Sequence, residues 1–393
     1  MYKHFVINFS VILITATSFS QNISENELIT MALKNSHNLS ASSLYIKQQK
    51  QLLGASFNLP NPEVFIESPT GNFYTGSITQ SIEFPSVYSK QYQLQKQKII
   101  FSEKEKAVGE NEIKFQVKQL YLSLQYTMAL QQQLYLQDTI YERIGNAAAR
   151  QFDAGQIDYL QKIFAENSYA DVHNQYLQAQ LTGLNIEKQL QFIAGYLNKI
   201  VVNPITSSSI NYIILADSNS LLTSPSLALI NQSILIAQKN ISLQNAKALP
   251  GLAFGYFNQG ERNTPVQNRF RFGITLPLWF NQYKSNISAA KTEYEIIKQK
   301  AAGLQQQFTL QYLQAQNEQA VYLQSLQYYE TRGLKKAVEI ITTAKRFFEN
   351  GESDYINYLR NINDAYSIQL KYLDVIKNYK QSLLSTNFIK GTL

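Results

Sequence analysis

The chain has 393 residues, a formal net charge of +7 and no cysteine, and only 16% of its residues are charged. About a quarter of the residues in a soluble globular protein are usually charged, so this composition argues against an ordinary globular domain. Without cysteine the chain can form neither disulfides nor thiolate metal sites, and its scattered basic residues argue against nucleic-acid binding.

Residues 1–20 are predicted to be a signal peptide. They combine a basic start at Lys3, an apolar stretch over 5–16 and small residues at Ser18 and Ser20, which is the pattern of a secretory leader. The alternative is a membrane anchor, but the apolar stretch is too short to cross a bilayer core of about 30 Å. We therefore expect the mature chain to leave the cytoplasm.

The prolines divide the rest of the chain. None lies in 86–203 or in 278–393, and both stretches are rich in Gln, Leu, Lys, Ala and Tyr. Because proline disrupts helix interiors, these stretches are predicted to be long helices. A helix from Ser86 to Arg150 would be about 97 Å long at about 1.5 Å per residue. Its apolar residues recur at spacings of three and four, which predicts coiled-coil packing.

Each long stretch contains one break, and the two breaks have similar sequences. Gly155 is followed three residues later by Asp158, and Gly351 is followed in the same way by Asp354. A glycine just past a helix end adopts the left-handed conformation easily, and an aspartate can cap the next helix. Both stretches are therefore predicted to be helical hairpins, with tips near 152–158 and 348–354.

The two breaks lie 196 residues apart, which predicts a tandem duplication. The first repeat would cover 21–203 and the second 226–393, joined by a linker over 204–225. Helices are expected to begin at Glu25 and Ser226, and the β-hairpins are expected over 62–84 and 251–279.

The segments between the prolines change from helical to strand periodicity. In the second hairpin, alternate residues are apolar, namely Phe270, Phe272, Ile274 and Leu276. The positions that alternate with them include Arg269 and Arg271. This alternation predicts a strand with one apolar face. The apolar face could pack on a soluble core or face lipid, and aromatic residues near the strand ends favour lipid.

Beyond residue 20 no apolar stretch approaches the length of a membrane-spanning helix, so any passage must be made by strands closed into a barrel. Two hairpins supply four strands, whereas the smallest membrane barrels have about eight. We therefore expect the chain to oligomerise.

The order of helix, strand pair and helical hairpin, occurring twice, resembles the TolC-like outer-membrane efflux family over nearly all of the mature chain. An aromatic residue before each tip glycine and a short polar step into an apolar helix add to the resemblance. The tip sequences Gly155–Leu160 and Gly351–Ile356 look closest to the branch paired with resistance-nodulation-division pumps for heavy metals.

The resemblance implies a mainly α chain with a membrane β part. In a homotrimer, four strands per chain would form one transmembrane β-barrel in outer-membrane lipid, continued by a long periplasmic α-helical barrel. An inner-membrane pump and a periplasmic adaptor protein would dock at the tips. The duct would conduct substrate passively, with no cofactor.

Three sets of site residues follow from the resemblance and the strand pattern. The tip residues expected to dock the adaptor are Phe152, Gly155, Asp158, Tyr159, Phe348, Gly351, Asp354 and Tyr355. The residues expected near an aperture are Asn357, Arg360 and Asp364. Arg269 and Arg271 are expected to face the lumen. Arg360 and Asp364 could instead form an ion pair, since they are four residues apart on a helix.

No catalytic constellation is found in the sequence, which argues against an enzyme. His37 and His173 are interpreted as ordinary polar helix residues, and no metal-spaced histidine pair occurs. Two alternative functions remain: a periplasmic coiled-coil adaptor and a structural interaction protein. The first would need a portion rich in Gly and Val that this chain lacks, and the second would have no use for amphipathic strand hairpins.

Overall fold

The computed structural model describes residues 23–68, 71, 74–208, 224–258 and 265–393. The predicted signal peptide and most of the predicted linker lie outside these residues. The helices are α1 Glu25–Asn35, α2 His37–Gln51, α3 Pro85–Asp153, α4 Tyr159–Ala194, α5 Pro225–Lys247, α6 Phe280–Tyr328, α7 Leu334–Glu349 and α8 Tyr355–Lys390. The strands are β1 Glu63–Glu67, β2 Thr75–Ile82, β3 Gly251–Asn258 and β4 Phe270–Thr275.

The helix starts follow from local capping. Ser24 and Glu27 form a capping box, in which the backbone N–H of Glu27 donates to Ser24 Oγ at 3.2 Å and the backbone N–H of Ser24 donates to Glu27 Oε2 at 2.8 Å. Pro85 and Pro225 stand at the first position of α3 and α5, where a missing N–H costs nothing. The predicted start at Glu25 is confirmed, and that of α5 is one residue earlier than predicted.

The first helical hairpin has the predicted form. Its first arm, α3, is one helix of 69 residues, about 100 Å long at about 1.5 Å per residue. It turns back into α4 after Asp153. The order of helices, strand pair and helical hairpin occurs twice, although the duplication itself stays a prediction.

Two interruptions of the helices were not predicted. Ser36 separates α1 from α2, and its side chain caps α2. The first arm of the second hairpin is broken by a π-helical turn, Tyr329–Gly333, between α6 and α7. Gly333 is buried there, and a Cβ atom on it would lie 2.9 Å from the ring of Tyr329, so a larger residue would displace that ring.

The core is a series of clusters along the helices. One lies near the hairpin tips, a second joins α1, α3 and α4, and a third joins α3, α6 and α8. Several of the apolar residues of α3 on which the coiled-coil prediction depends are buried, namely Ile99, Val117, Leu124, Leu134 and Ile144. Helix α8 packs against α3, α6 and α7, so it joins the two hairpins.

The four strands form one antiparallel sheet in the order β1-β2-β3-β4. Pairing within each hairpin follows the prediction, and β2 also pairs with β3, which joins the hairpins. The strands have five to eight residues, shorter than the roughly 9 to 11 that a membrane strand needs. The alternation of β4 begins at Phe270, because Arg269 ends a short 3₁₀ turn instead of continuing the strand.

The register gives the sheet two different faces. Phe254 lies opposite Phe272, and Leu252 lies opposite Ile274, so their side chains share one face. Phe272 is 62% exposed and Ile274 is 58% exposed. Residues on the other face are mainly small or carry hydroxyls, namely Ser77, Thr79, Ser81, Ala253, Gly255, Gly273 and Thr275.

Candidate functional site: the tips of the helical hairpins

The first tip ends α3 with a left-handed glycine. Gly155 has φ +72°, and its N–H donates to the carbonyl of Phe152 at 2.9 Å. The N–H of Gln156 donates to the carbonyl of Gln151 at 2.8 Å. Two such bonds around a left-handed residue satisfy carbonyl groups at a helix end. Asp158 then caps α4, accepting the N–H of Gln161 at 2.8 Å.

The second tip repeats this backbone geometry. Gly351 has φ +74°, and its N–H donates to the carbonyl of Phe348 at 3.1 Å. Asp354 caps α8 by accepting the N–H of Asn357 at 2.7 Å. Both predicted turns and both predicted caps are therefore present.

The side chains around the two tips differ. At the first tip, the ring of Phe152 contacts the ring of Tyr159 edge-on at 5.8 Å, and Tyr159 is 62% exposed. At the second tip, the ring of Phe348 lies 4.7 Å from that of Tyr355, which is 3% exposed. Phe348 also stacks on Tyr358 at 4.5 Å. The second tip is thus anchored in the core, whereas the first presents its aromatic residue outward.

A cluster of tyrosines packs around the start of α8, next to the second tip. Its tyrosines come from α3 and α8, namely Tyr141, Tyr355, Tyr358 and Tyr366. Burial, with a contribution from Tyr358, raises the pKa of Tyr366 to about 12, so this hydroxyl stays neutral at physiological pH. The hydroxyl of Tyr141 is buried without a hydrogen-bond partner among the described residues. We interpret the cluster as packing that joins the hairpins.

This tyrosine cluster was not predicted from the sequence. The spacing of Tyr355, Tyr358 and Tyr366 along α8 could have indicated one helix face, because residues three and four apart are neighbours on a helix. The contribution of Tyr141 depends on contact with a helix more than two hundred residues away in the sequence, which no local pattern shows.

The proposed aperture residues lie on the opposite face of α8. Asn357, Arg360 and Asp364 are all exposed, while Leu359 and Ile362 between them are buried. Arg360 and Asp364 are not among the ion pairs found in the described chain. The ion pair that the sequence left open as an alternative does not form in the described chain, and both side chains are exposed.

The two arginines of the second β-hairpin have different surroundings. Arg271 is exposed, and its guanidinium lies 3.8 Å from the centre of the Phe257 ring. Arg271 is opposite Gly255, which is opposite Thr79, so it belongs to the face with small residues. Arg269 precedes the strand, and its Nη1 donates to Asn258 Oδ1 at 2.8 Å. Only Arg271 thus continues the strand pattern on which the lumen prediction was based.

The histidines and acidic residues form no evident metal site. His173 Nδ1 lies 3.0 Å from Asp138 Oδ1, between α3 and α4, and His37 begins α2. Within the described ranges, no group of three or more His, Cys, Asp and Glu residues could hold a metal ion. Among the described helices, none is long and apolar enough to cross a membrane.

Comparison with known proteins identifies the fold. No protein-family model matches the sequence, and no curated protein matches it significantly. Solved structures do match: CusC is 16% identical, with a TM-score of 0.78 over 95% of this chain and 95% of that chain. The outer membrane channel CmeC of Campylobacter jejuni is 16% identical, with a TM-score of 0.76 over 94% and 85%.

The outer membrane protein VceC of Vibrio cholerae is 13% identical, with a TM-score of 0.76 over 93% of this chain and 96% of that chain. These likenesses extend over nearly the whole length of both partners in each comparison. The chain therefore has the fold of these outer-membrane channels, and the predicted fold class, with its helical part and its small β part, is confirmed.

Proposed function

We propose that the chain is one subunit of an outer-membrane exit duct, which conducts solute passively from an inner-membrane pump and a periplasmic adaptor to the exterior. One observation carries the proposal: a small sheet with an exposed apolar face is joined to two very long helical hairpins, in the fold of known outer-membrane channels. The sheet would lie in outer-membrane lipid, and the helices would extend into the periplasm.

The two faces of the sheet support this placement. Apolar side chains such as Phe272 and Ile274 are exposed on one face, which would be unfavourable in water but suits lipid. The opposite face is small and hydroxyl-bearing, as expected of a face that lines water. Arg271 lies on this second face, and we propose that it faces the lumen.

The number of strands supports a homotrimer. The described chain supplies four strands in one sheet, and about eight is the smallest number that closes a membrane barrel. Three copies would supply enough strands for a barrel with a lumen, and their helices would surround a continuous periplasmic passage.

The two tips are the proposed docking end for the adaptor and, through it, a resistance-nodulation-division pump. They lie at the far end of arms about 100 Å long, away from the sheet. The exposed first tip, with Phe152 and Tyr159, would supply most of the contact. On α8, the exposed face with Asn357, Arg360 and Asp364 would line the aperture.

The finer hypothesis is that the cargo is a heavy-metal ion, for which the likeness of the tip sequences to the heavy-metal branch is the support. Because the described residues hold no candidate metal site, the duct would pass such ions without coordinating them. A strain lacking the gene should then become sensitive to heavy-metal salts. Unchanged tolerance would refute this cargo and leave the duct unaffected.

The proposal is tested by the state of the full-length protein. We expect it in the outer-membrane fraction, extracted only by detergent, with the mass of a trimer by light scattering after correction for detergent. A soluble monomer after signal cleavage would overturn the duct. It would then favour one of the alternatives, an adaptor or a coiled-coil interaction protein.

A further inference from the structure

The sheet has two free edges. In the order β1-β2-β3-β4, only β1 and β4 lack a second neighbour among the described strands. A free edge presents unpaired backbone N–H and C=O groups, which readily pair with another strand. Because all three strand pairs are antiparallel, β1 and β4 also run antiparallel to each other. A β4 edge can therefore continue into the β1 edge of another copy without changing the antiparallel order.

The two edges carry opposite charges on the same face. One row across the sheet runs from Glu63 through Thr79 and Gly255 to Arg271. Glu67 lies four residues after Glu63, so it shares that face. The β1 edge is therefore acidic and the β4 edge is basic, and in this row the two central strands place only a threonine and a glycine between them.

These charges have no ionic partner within the described chain. Every ion pair found there joins residues of the helices, and none includes Glu63, Glu67 or Arg271. All three side chains are exposed. The guanidinium of Arg271 stacks on the ring of Phe257 at 3.8 Å, which holds the positive charge on the small-residue face and leaves it available to a carboxylate.

In the proposed trimer the β1 edge of one copy meets the β4 edge of the next, and we propose that Glu63 and Glu67 pair with Arg271 of the neighbouring copy to select this contact. The inference rests on the proposed duct and specifies how its subunits recognise each other. Directly opposed and diagonal side chains on neighbouring strands lie within about 4.5 to 8 Å. Two glutamates four residues apart therefore keep one carboxylate within reach of Arg271 despite the stagger of strands in a barrel.

The charges also discriminate against the wrong assembly. If two β1 edges paired, Glu63 and Glu67 of one copy would face the same two glutamates of the other copy. If two β4 edges paired, Arg271 of one copy would face Arg271 of the other. Both like-edge contacts generate two-fold dimers, whereas β1 to β4 contacts generate a ring. Exposed ion pairs add little stability, but repulsion between like charges disfavours the competing contact. The pairs therefore select the partner edge more than they strengthen the assembly.

The test reverses the charges in the full-length protein. In Arg271→Glu, both edges are acidic, so we expect the temperature at which the trimer dissociates in detergent to fall by several degrees, with less trimer recovered. Adding Glu63→Lys and Glu67→Lys to that variant reverses the other edge and should restore the trimer. The control is Glu83→Lys, which reverses an exposed acid beyond the end of a central strand and should leave the trimer unchanged.

The outcomes separate this inference from the duct itself. If the wild-type protein is a trimer and Arg271→Glu dissociates at the same temperature, the proposed pairing of Glu63 and Glu67 with Arg271 is wrong, and the proposed duct is unaffected. The proposed pairing would also be wrong if the triple variant, although folded by circular dichroism, formed a trimer no more stable than that of Arg271→Glu. A wild-type protein that is a soluble monomer would overturn both proposals.

Discussion

Gly155 and Gly351 end their helices with nearly the same backbone, at φ +72° and +74°, and each is followed by an aspartate that caps the next helix. The residues after the caps nevertheless differ in their surroundings. Tyr159 begins α4 and is 62% exposed, whereas Tyr355 begins α8 and is 3% exposed. The local sequence determines the turn, and the position of the following helix among its neighbours determines what the turn can contact.

The difference follows from where α4 and α8 lie. Helix α8 packs against α3 and α7, and its first turn enters a cluster that includes Tyr141 and Phe348. Helix α4 packs mainly against α3, so its first turn keeps a free side. We infer that the second tip serves chiefly to hold the hairpins together and that the first tip is the better surface for a partner.

Replacing Tyr355 and Tyr159 by alanine should give the largest difference in stability between the two tips. Tyr355→Ala empties a packed site and should destabilise the helical part by about 3 kcal/mol, as large-to-small core substitutions do. Tyr159→Ala removes an exposed ring and should change stability by no more than about 0.5 kcal/mol. Thermal unfolding of the detergent-extracted protein, followed by circular dichroism, measures both. Similar small losses at the two positions would contradict the difference in packing.

The sequence was sufficient for the features that depend on a few neighbouring residues. The glycine turns, the capping by Asp158 and Asp354 and the alternation in β4 are all local, because each depends on backbone preference or on the period of a strand. Proline positions were likewise enough to locate α3.

Features that depend on distant residues were not predicted. The pairing of β2 with β3 joins strands from different β-hairpins, and the burial of Tyr355 requires α3. The π-helical turn at Tyr329–Gly333 also has no clear sequence signal, because its residues fit an ordinary helix. Tyr372 from α8 donates to Glu330 Oε1 in this turn at 3.2 Å, a contact that only the folded chain shows.

Replacing the tip glycines should lower stability less than Tyr355→Ala does, and by the same amount at the two tips. A Cβ atom at Gly155 or Gly351 would meet no atom within 4 Å, so the effect comes from the backbone alone. Valine in the left-handed region costs roughly 1 to 2 kcal/mol. We expect Gly155→Val and Gly351→Val each to distort the turn and leave the trimer intact. Cross-linking to the adaptor and export should fall further in Gly155→Val, because the first tip is the more exposed surface.

The matched control for these variants is Gly303→Val. Gly303 lies within α6 and also has open space around its Cβ position, but its backbone is an ordinary helix. Valine is better tolerated than glycine inside a helix, so this variant should export normally. Loss of trimer in the tip variants, or unchanged export when both tip glycines are replaced, would show that the turns are not the docking end.

The smallest effect is expected at the two helix caps. It tests whether the caps, like the glycine turns, depend only on neighbouring residues in the sequence. The carboxylate of Asp158 accepts the N–H of Gln161, and that of Asp354 accepts the N–H of Asn357. Replacing a capping aspartate by alanine costs about 1 kcal/mol, which should speed hydrogen exchange of the released N–H by roughly fivefold. Asparagine also caps a helix well, so Asp158→Asn and Asp354→Asn should retain most of the protection. If burial of Tyr355 instead holds the start of α8 in place, Asp354→Ala should leave the exchange of Asn357 unchanged while Asp158→Ala speeds that of Gln161. That result would show that packing, in addition to the local sequence, maintains the second turn.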